Sequence, residues 1–237
     1  MKVTMIGHST VLIEAAGIRI LTDPYFGLRG NTAYTRLAPP FKTREELKSA
    51  DLVLVSHHHW DHTDALFFRS LAAKTPVVAP RAAAWVTRML GAKNVLGLEK
   101  WERRQLDAVC VTAVPAWHLA IPCGYVIEAE SRQIYFAGDT YYGGFMQEIG
   151  KRFHLDLALM PVTTFRIPMT MGEKGALRAV AALSPRTTIP IHLGIAPRAP
   201  LLRTKDSAEG FRKRVLDAGL KTEVVILREG QCWELPR

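Results

Sequence analysis

The stretch Ser56-His57-His58-His59-Trp60-Asp61-His62 constrains this chain more than any other. Four of the eight histidines fall within six residues, with an aspartate among them. Ahead of it runs Asp51-Leu52-Val53-Leu54-Val55, apolar, rich in valine and the length of a buried strand. Behind it, Thr63-Asp64-Ala65-Leu66-Phe67-Phe68 reads as a helix start. A strand that ends in clustered imidazoles and a carboxylate, then turns into a helix, has the make-up of a metal cup. Neutral imidazole and carboxylate are donors that Zn²⁺, Mn²⁺ and Fe²⁺ accept. His57 and His59 are two apart, so on an extended backbone they face one side and can grip one ion. Asp61 and His62 follow at the turn, within reach of a second ion, while His58 and Trp60 point elsewhere. A tag-like surface run would lie at a terminus, not between a strand and a helix.

Composition adds limits. The chain has 237 residues, 48% hydrophobic and 22% charged, with no compositional break, so residues 1–237 read as one domain. No apolar run reaches the length of a membrane span, and the first residues lack an apolar secretory core, so the expected address is cytoplasmic. Cys110, Cys123 and Cys232 are scattered and read as free or buried thiols. The net charge of +9 favours an anionic small-molecule substrate. The basic residues are dispersed without aromatic interleaving, so nucleic acid is not expected as a partner. A homo-oligomer is left open.

Taken in order, Lys2–Ile6, Ser9–Glu14 and Ile18–Thr22 alternate as an antiparallel meander. Gly27–Phe41 reads as a long irregular loop of the functional or mobile kind. Thr43-Arg44-Glu45-Glu46 fits a capping box. Helices are predicted at 64–73, 81–90, 143–153, 172–183 and 207–218, the last ended by Gly219. Strands are predicted at 76–79, 94–98, 102–106, 108–116, 124–129, 133–137, 155–161, 187–191, 222–227 and 231–235. Meanders precede β-α units in each half, which implies two sheets back to back with helices outside.

Three further residues stand where predicted strands end: His118, Asp139 after Gly138, and His192. Rigid strand ends are where binding side chains collect. With these, the pattern H-x-H-x-D-H, a distant His, a Gly-Asp after a strand and a late His resembles the metallo-β-lactamase superfamily. Gly7-His8-Ser9-Thr10-Val11-Leu12-Ile13-Glu14, Leu21-Thr22-Asp23-Pro24, Phe136-Ala137-Gly138-Asp139-Thr140 and Ile189-Pro190-Ile191-His192-Leu193-Gly194 are similar to its branch containing L-ascorbate phosphate lactonase and N-acylphosphatidylethanolamine phospholipase D. The resemblance implies an α+β fold, the αββα four-layer sandwich, with two divalent ions, Zn or Mn with Fe as an alternative. His57, His59 and His118 would hold one ion, Asp61, His62 and His192 the other, and Asp139 would bridge. One departure is visible: Thr170, in Pro168-Met169-Thr170-Met171, stands where that branch often has a histidine, which puts substrate transfer from its members in doubt.

Two such ions can hold a hydroxide between them and polarise the oxygen under attack. Asp139 and Asp61 are then the catalytic carboxylates, Asp61 orienting the nucleophile. The expected activity is hydrolysis of a small phosphodiester, with a lactone or other acyl ester as the alternative and a nuclease of the same superfamily as a further one. His8 is a candidate for contacting the substrate or for backing a metal ligand from behind, Asp23 for holding the far nitrogen of a ligand imidazole, and Tyr141 for contacting the substrate. Arg166 and Arg198 are the guesses for an anionic group. Core support is the preferred reading of Trp60 and Trp117, and a surface or capping role that of His154.

Overall fold

Strand-forming alternation dominates both halves of the chain, and the computed structural model, which describes residues 1–236, turns it into two seven-stranded sheets and a two-stranded ribbon. The first half supplies β1 (Lys2–Gly7), β2 (Thr10–Ala15), β3 (Ile18–Thr22), β4 (Tyr34–Arg36), α1 (Arg44–Leu47), β5 (Leu52–Leu54), α2 (Ala65–Ser70), β6 (Pro76–Pro80), α3 (Ala84–Met89) and β7 (Asn94–Leu98). The second supplies β8 (Arg103–Leu106), β9 (Val109–Pro115), β10 (Cys123–Ala129), β11 (Arg132–Phe136), α4 (Phe145–Arg152), β12 (Leu157–Pro161), α5 (Gly172–Leu183), β13 (Thr187–Ile191), β14 (Ile195–Pro197), α6 (Ala208–Asp217), β15 (Glu223–Val224) and β16 (Cys232–Glu234). The sheet orders are β16-β1-β2-β3-β5-β6-β7 and β15-β13-β12-β11-β10-β9-β8, and β14 pairs with β4. In each sheet the antiparallel meander gives way to parallel pairing once helices intervene.

Period-2 alternation builds the core. Val3, Met5, Val11, Ile13, Ile20, Leu52 and Leu54 of one sheet meet Val111, Ala113, Tyr125, Ile127, Ile134, Phe136, Leu157, Leu159 and Ile189 of the other, all buried. The opposite faces pack helices. Phe67 and Phe68 of α2 cover Leu21, Val53 and Val55. Met146, Ala176, Val180 and Phe211 from α4, α5 and α6 cover Val126, Tyr135, Ala158 and Met160. The layers therefore run α-β-β-α, as the sequence implied. No helix among the described residues is long and apolar enough to cross a membrane.

Several local expectations shift. The supposed loop Gly27–Phe41 contains β4, held because the buried Arg36 guanidinium donates to the carbonyls of Tyr25, Gly27 and Ala38. The predicted helix over 81–90 begins as a 3₁₀ turn, Arg81–Ala83, before α3. The strand expected at 222–227 shortens to β15, since β13 pairs with it at only Thr187 and Thr188. The capping box at Thr43 forms, Ser207 caps α6, and Gly219 follows that helix with φ +64°. Cys110 and Cys123 are buried free thiols, and Cys232 is exposed.

Candidate metal centre

The ends of β3, β5, β9, β11 and β13 open toward one point between the sheets, and each delivers one part of the site. After β5 the chain runs without regular secondary structure through His57 and His59, whose ring centres lie 4.6 Å apart. It then turns, with His62 N–H on the His59 carbonyl. Asp64 ends the turn by accepting from Phe67 N–H, which caps α2, and by pairing side-on with Arg44. His58 faces away, its Nε2 2.7 Å from Thr87 Oγ1.

His118 and Asp139 arrive on adjacent loops stitched together by Trp117 N–H to Thr140 Oγ1 (3.0 Å) and Tyr141 N–H to the Trp117 carbonyl (2.8 Å). Asp139 depends on Gly138. That residue has φ +57°, and a Cβ there would stand 2.3 Å from Ser56 Cβ. His192 follows β13 with φ +63°, its N–H bonded to the His8 carbonyl and its carbonyl accepting from Thr163 Oγ1 at 2.6 Å. His8 (φ +60°) and Asp23 (φ +32°) share this left-handed backbone. Three non-glycine residues so strained around one point are what over-determined functional geometry looks like.

All seven residues picked out by the sequence motif converge. His57, His59, His118 and Asp139 present donor atoms within 4.8 Å of one another, and so do His8, Asp61, His62 and His192. His59 Nδ1 and His118 Nε2 face each other at 3.1 Å. Asp139 Oδ2 lies 3.2 Å from His192 Nε2 and 3.8 Å from the Nε2 atoms of His57 and His118, while Oδ1 lies 3.4 Å from His62 Nε2. Asp139, a member of the first group, thus also faces His62 and His192 of the second.

Behind these sits a hydrogen-bond relay that fixes tautomers. Asp23, fully buried, takes Ser56 N–H on Oδ1 (2.7 Å) and both Ser56 Oγ–H (2.6 Å) and His62 Nδ1–H (2.7 Å) on Oδ2. Because the Ser56 hydroxyl donates to the carboxylate, its oxygen accepts from His57 Nδ1–H at 2.9 Å. Both imidazoles therefore keep Nδ1–H on the outer side and turn Nε2 inward, as a bare lone pair on His57 and as the atom that would exchange its proton for a cation on His62. His8 Nδ1 accepts from Gly194 N–H, so its proton lies on Nε2, 3.3 Å from Asp61 Oδ2. Gly194 is needed for that approach, since a Cβ would lie within 3.0 Å of His8 backbone atoms.

Electrostatics sort the groups. Burial drives His57 well below the ordinary imidazole pKa, His118 down to about 4 and His8 down to about 3, so all three are neutral donors at pH 7. Burial alone would raise the Asp139 carboxyl, but the facing His192 and His62 outweigh it and hold it well below the usual range. Burial would lower His62, yet Asp139, Asp61 and Asp23 outweigh it and push His62 well above 6.5. Three carboxylates around one imidazole make a site that demands positive charge.

The space over the donor atoms is rimmed by Tyr34, Trp60, Phe165, Met169 and Ile195. Trp60 stacks on Tyr34 and is 36% exposed, and Trp117 is 64% exposed, so neither is core. The ring of Tyr141 lies 6.2 Å from that of His118, with its hydroxyl bonded to the Pro168 carbonyl. Arg166 and Arg198 are exposed, outside the rim, and the Arg198 Nε–H is bonded to the Asn31 carbonyl. His154 is also exposed. Thr170 is buried and donates to the Thr163 carbonyl, bracing the residue that holds His192. Sequence reasoning missed Ser56 and the rim residues Tyr34, Phe165 and Ile195. Ser56 carried one faint signal, a hydroxyl directly before the first histidine of the motif.

Residues 18–193 match the family described as the beta-lactamase superfamily domain. The chain belongs to the metallo-β-lactamase superfamily. Within the superfamily, a UPF0173 metal-dependent hydrolase of Pelotomaculum thermopropionicum is 37% identical over 99% of this chain and 100% of its own. One from Methanopyrus kandleri is 32% identical over 99% and 100%. Among solved structures, a metallo hydrolase from the archaeon Ignicoccus hospitalis superposes with a TM-score of 0.80 at 26% identity, covering 99% of each chain. This metallo-β-lactamase-fold chain is thus a UPF0173 metal-dependent hydrolase homologue along nearly its whole length.

Proposed function

We propose that the protein is a dinuclear metal-dependent hydrolase of small esters. The observation that carries this reading is the set of inward-facing donor atoms without hydrogen-bond partners: His57 Nε2, His62 Nε2 and Asp139 Oδ1, all buried. Orphaned buried donors and acceptors cost about 1–3 kcal/mol each, and a cation removes that cost for all of them at once. The two ring nitrogens of His59 and His118, 3.1 Å apart, are relieved in the same way. Five imidazoles and two carboxylates suit Zn²⁺ or Mn²⁺, with Fe²⁺ also compatible. His57, His59 and His118 would hold one ion, Asp61, His62 and His192 the other, with Asp139 shared.

Two such ions, when bound, supply a Lewis acid and an activated water at neutral pH. The chain's own residues do the rest. Asp61, whose burial is outweighed by His62 and His8 so that its pKa is lowered, stays ionised and holds a proton acceptor beside the reacting atoms. His8 faces that carboxylate with Nε2 at 3.3 Å. Trp60, Tyr34, Phe165 and Met169 give the opening a largely apolar border.

The rim contains no lysine or arginine. This favours an uncharged acyl ester or lactone over the phosphodiester that net charge suggested, because no cationic side chain there would meet a second phosphate oxygen. The test is metal analysis joined to a panel of p-nitrophenyl esters, acyl-homoserine lactones, bis-p-nitrophenyl phosphate and single-stranded RNA, each with Zn²⁺, Mn²⁺ and Fe²⁺. Two ions per chain and ester or lactone turnover are expected. Fewer than two ions in metal-saturated protein, or turnover of RNA alone, would overturn the reading.

A further inference from the structure

The space directly above the donor cluster is about 40 Å³, bounded by Tyr34, Trp60, Phe165, Met169 and Ile195 over the metal-facing side chains. That holds a water or two and no ester. On the far side of Phe165 and Ile195 lies a cleft of about 430 Å³, and these two side chains line both spaces. The larger volume is that of a small-molecule site. Its inner wall also includes His8 and Leu193, neighbours of Asp61 and His192 respectively. Phe165 and Ile195 therefore stand between a metal-facing centre with little room and a roomy cleft that contains none of the seven motif residues.

We propose that this cleft receives the uncharged, apolar, non-reacting part of an acyl ester or lactone, with the Phe165 ring as the gate. The proposal rests on the hydrolase reading above. The backbone around Phe165 is pinned, so the ring must do the moving. Thr163 Oγ1 is bonded to the His192 carbonyl, Thr170 Oγ1 to the Thr163 carbonyl, and Thr164 Oγ1 accepts from the N–H groups of Met169 and Thr170. The gate ring packs with Tyr25, Tyr34, Met169 and Ile195 and lies 5.2 Å from the Tyr34 ring and 6.3 Å from the His192 ring, with no polar atom of its own to hold it. Beyond it the wall is Met5, Leu193, Ile195 and Leu227. The outer lining mixes Arg203 and Arg228 with Asp206, Glu209 and Glu229, and Arg203 Nε is already bonded to the Pro197 carbonyl. Two positive groups are interspersed with three carboxylates there, so an anionic tail is not selected, and burial of methylene groups supplies the affinity.

The experiment uses metal-loaded enzyme and p-nitrophenyl esters from acetate to octanoate, with 1-octanol binding by calorimetry as a readout that needs no turnover. In wild type, KM is expected to fall by up to about fourfold per added methylene, and octanol to bind. Ala38→Trp places an indole in the cleft, because Ala38 lines it and is otherwise used only through its backbone carbonyl. This variant should collapse the octanoate-to-acetate ratio of kcat/KM toward one and lose octanol binding. Ala196→Leu narrows the same cleft from β14 and serves if Ala38→Trp fails to fold. Phe165→Ala, which joins the two spaces, should raise kcat/KM for octanoate relative to acetate. Acetate and octanoate turned over equally by wild type, or length dependence and octanol binding that survive both filled variants, would overturn the cleft assignment and leave the hydrolase reading standing. Turnover of no ester at any length, with octanol still bound in the cleft, would instead overturn the ester hydrolase.

Discussion

Replacing Asp23 by asparagine changes one oxygen to NH₂ at constant volume, and the structure sets the consequence. Asp23 accepts three hydrogen bonds of 2.6–2.7 Å, from Ser56 N–H, Ser56 Oγ–H and His62 Nδ1–H, and donates none. An asparagine has two orientations. With its oxygen toward His62, the amide NH₂ opposes Ser56 N–H and a buried donor goes unpaired, at about 1–3 kcal/mol. With its oxygen toward Ser56 N–H, the NH₂ faces His62 Nδ1 and moves the imidazole proton to Nε2, the atom that turns toward the metal site. Neither orientation preserves both the fold energy and the tautomer. Loss of an outer carboxylate typically weakens metal binding 10–100-fold, about 1.4–2.8 kcal/mol.

Asp23 also reaches His57 through Ser56 Oγ. Asp23→Asn is therefore expected to weaken both ions, whereas Ser56→Ala, which removes the link to His57 and one donor to Asp23 but keeps His62 Nδ1–H on that carboxylate, should weaken chiefly one. Chelator competition followed by metal stoichiometry measures this, with circular dichroism to establish that each variant folds. Two ions bound by Asp23→Asn with unchanged affinity would refute the relay. Equal weakening of both ions in Ser56→Ala would refute its division between the two sites.

Three other outcomes are expected. Asp139→Ala in metal-saturated protein should lower kcat/KM by roughly 10³-fold or more, the scale that metal-assisted hydrolysis supplies, and near-normal rates would count against a shared carboxylate. Gly138→Ala imposes left-handed backbone on a Cβ that meets Ser56; strain and overpacking together cost about 2–5 kcal/mol, so thermal unfolding should show Tm lower by roughly 5–15 °C, and an unchanged Tm would refute the clash. Asp206, whose pKa burial and then Glu173 raise, favours the folded state only while protonated. Its contribution is present below the unfolded carboxyl pKa and lost as pH rises through the folded one. Asp206→Asn should therefore gain stability relative to wild type between pH 4 and 7 in urea titrations, and a pH-independent difference would exclude the penalty.

What the sequence revealed and what it hid divide by range. His57, His59, Asp61 and His62 were legible because one strand, one turn and one cap at Asp64 place them, all within eight residues. His118, Asp139 and His192 were legible as strand-end residues, but only their joint pattern linked them. The rim was not legible. Tyr34 and Ile195 meet through the β4–β14 ribbon, which pairs Arg36 with Ile195 across most of the chain, and three-residue strands leave no period to read. Ser56 was hidden for a different reason, since a serine at a strand end is ordinary until a buried carboxylate 33 residues earlier accepts its hydrogen bond. Thr170 is the instructive case. Its departure from the resembling branch pointed to a lost substrate contact, yet in this chain its hydroxyl braces Thr163 and through it the His192 carbonyl. A histidine there would have to give up that brace or find another. The specificity of this enzyme is thus tied to how the His192 segment is held as well as to what lines the opening, and the Phe165 gate sits on the same braced segment.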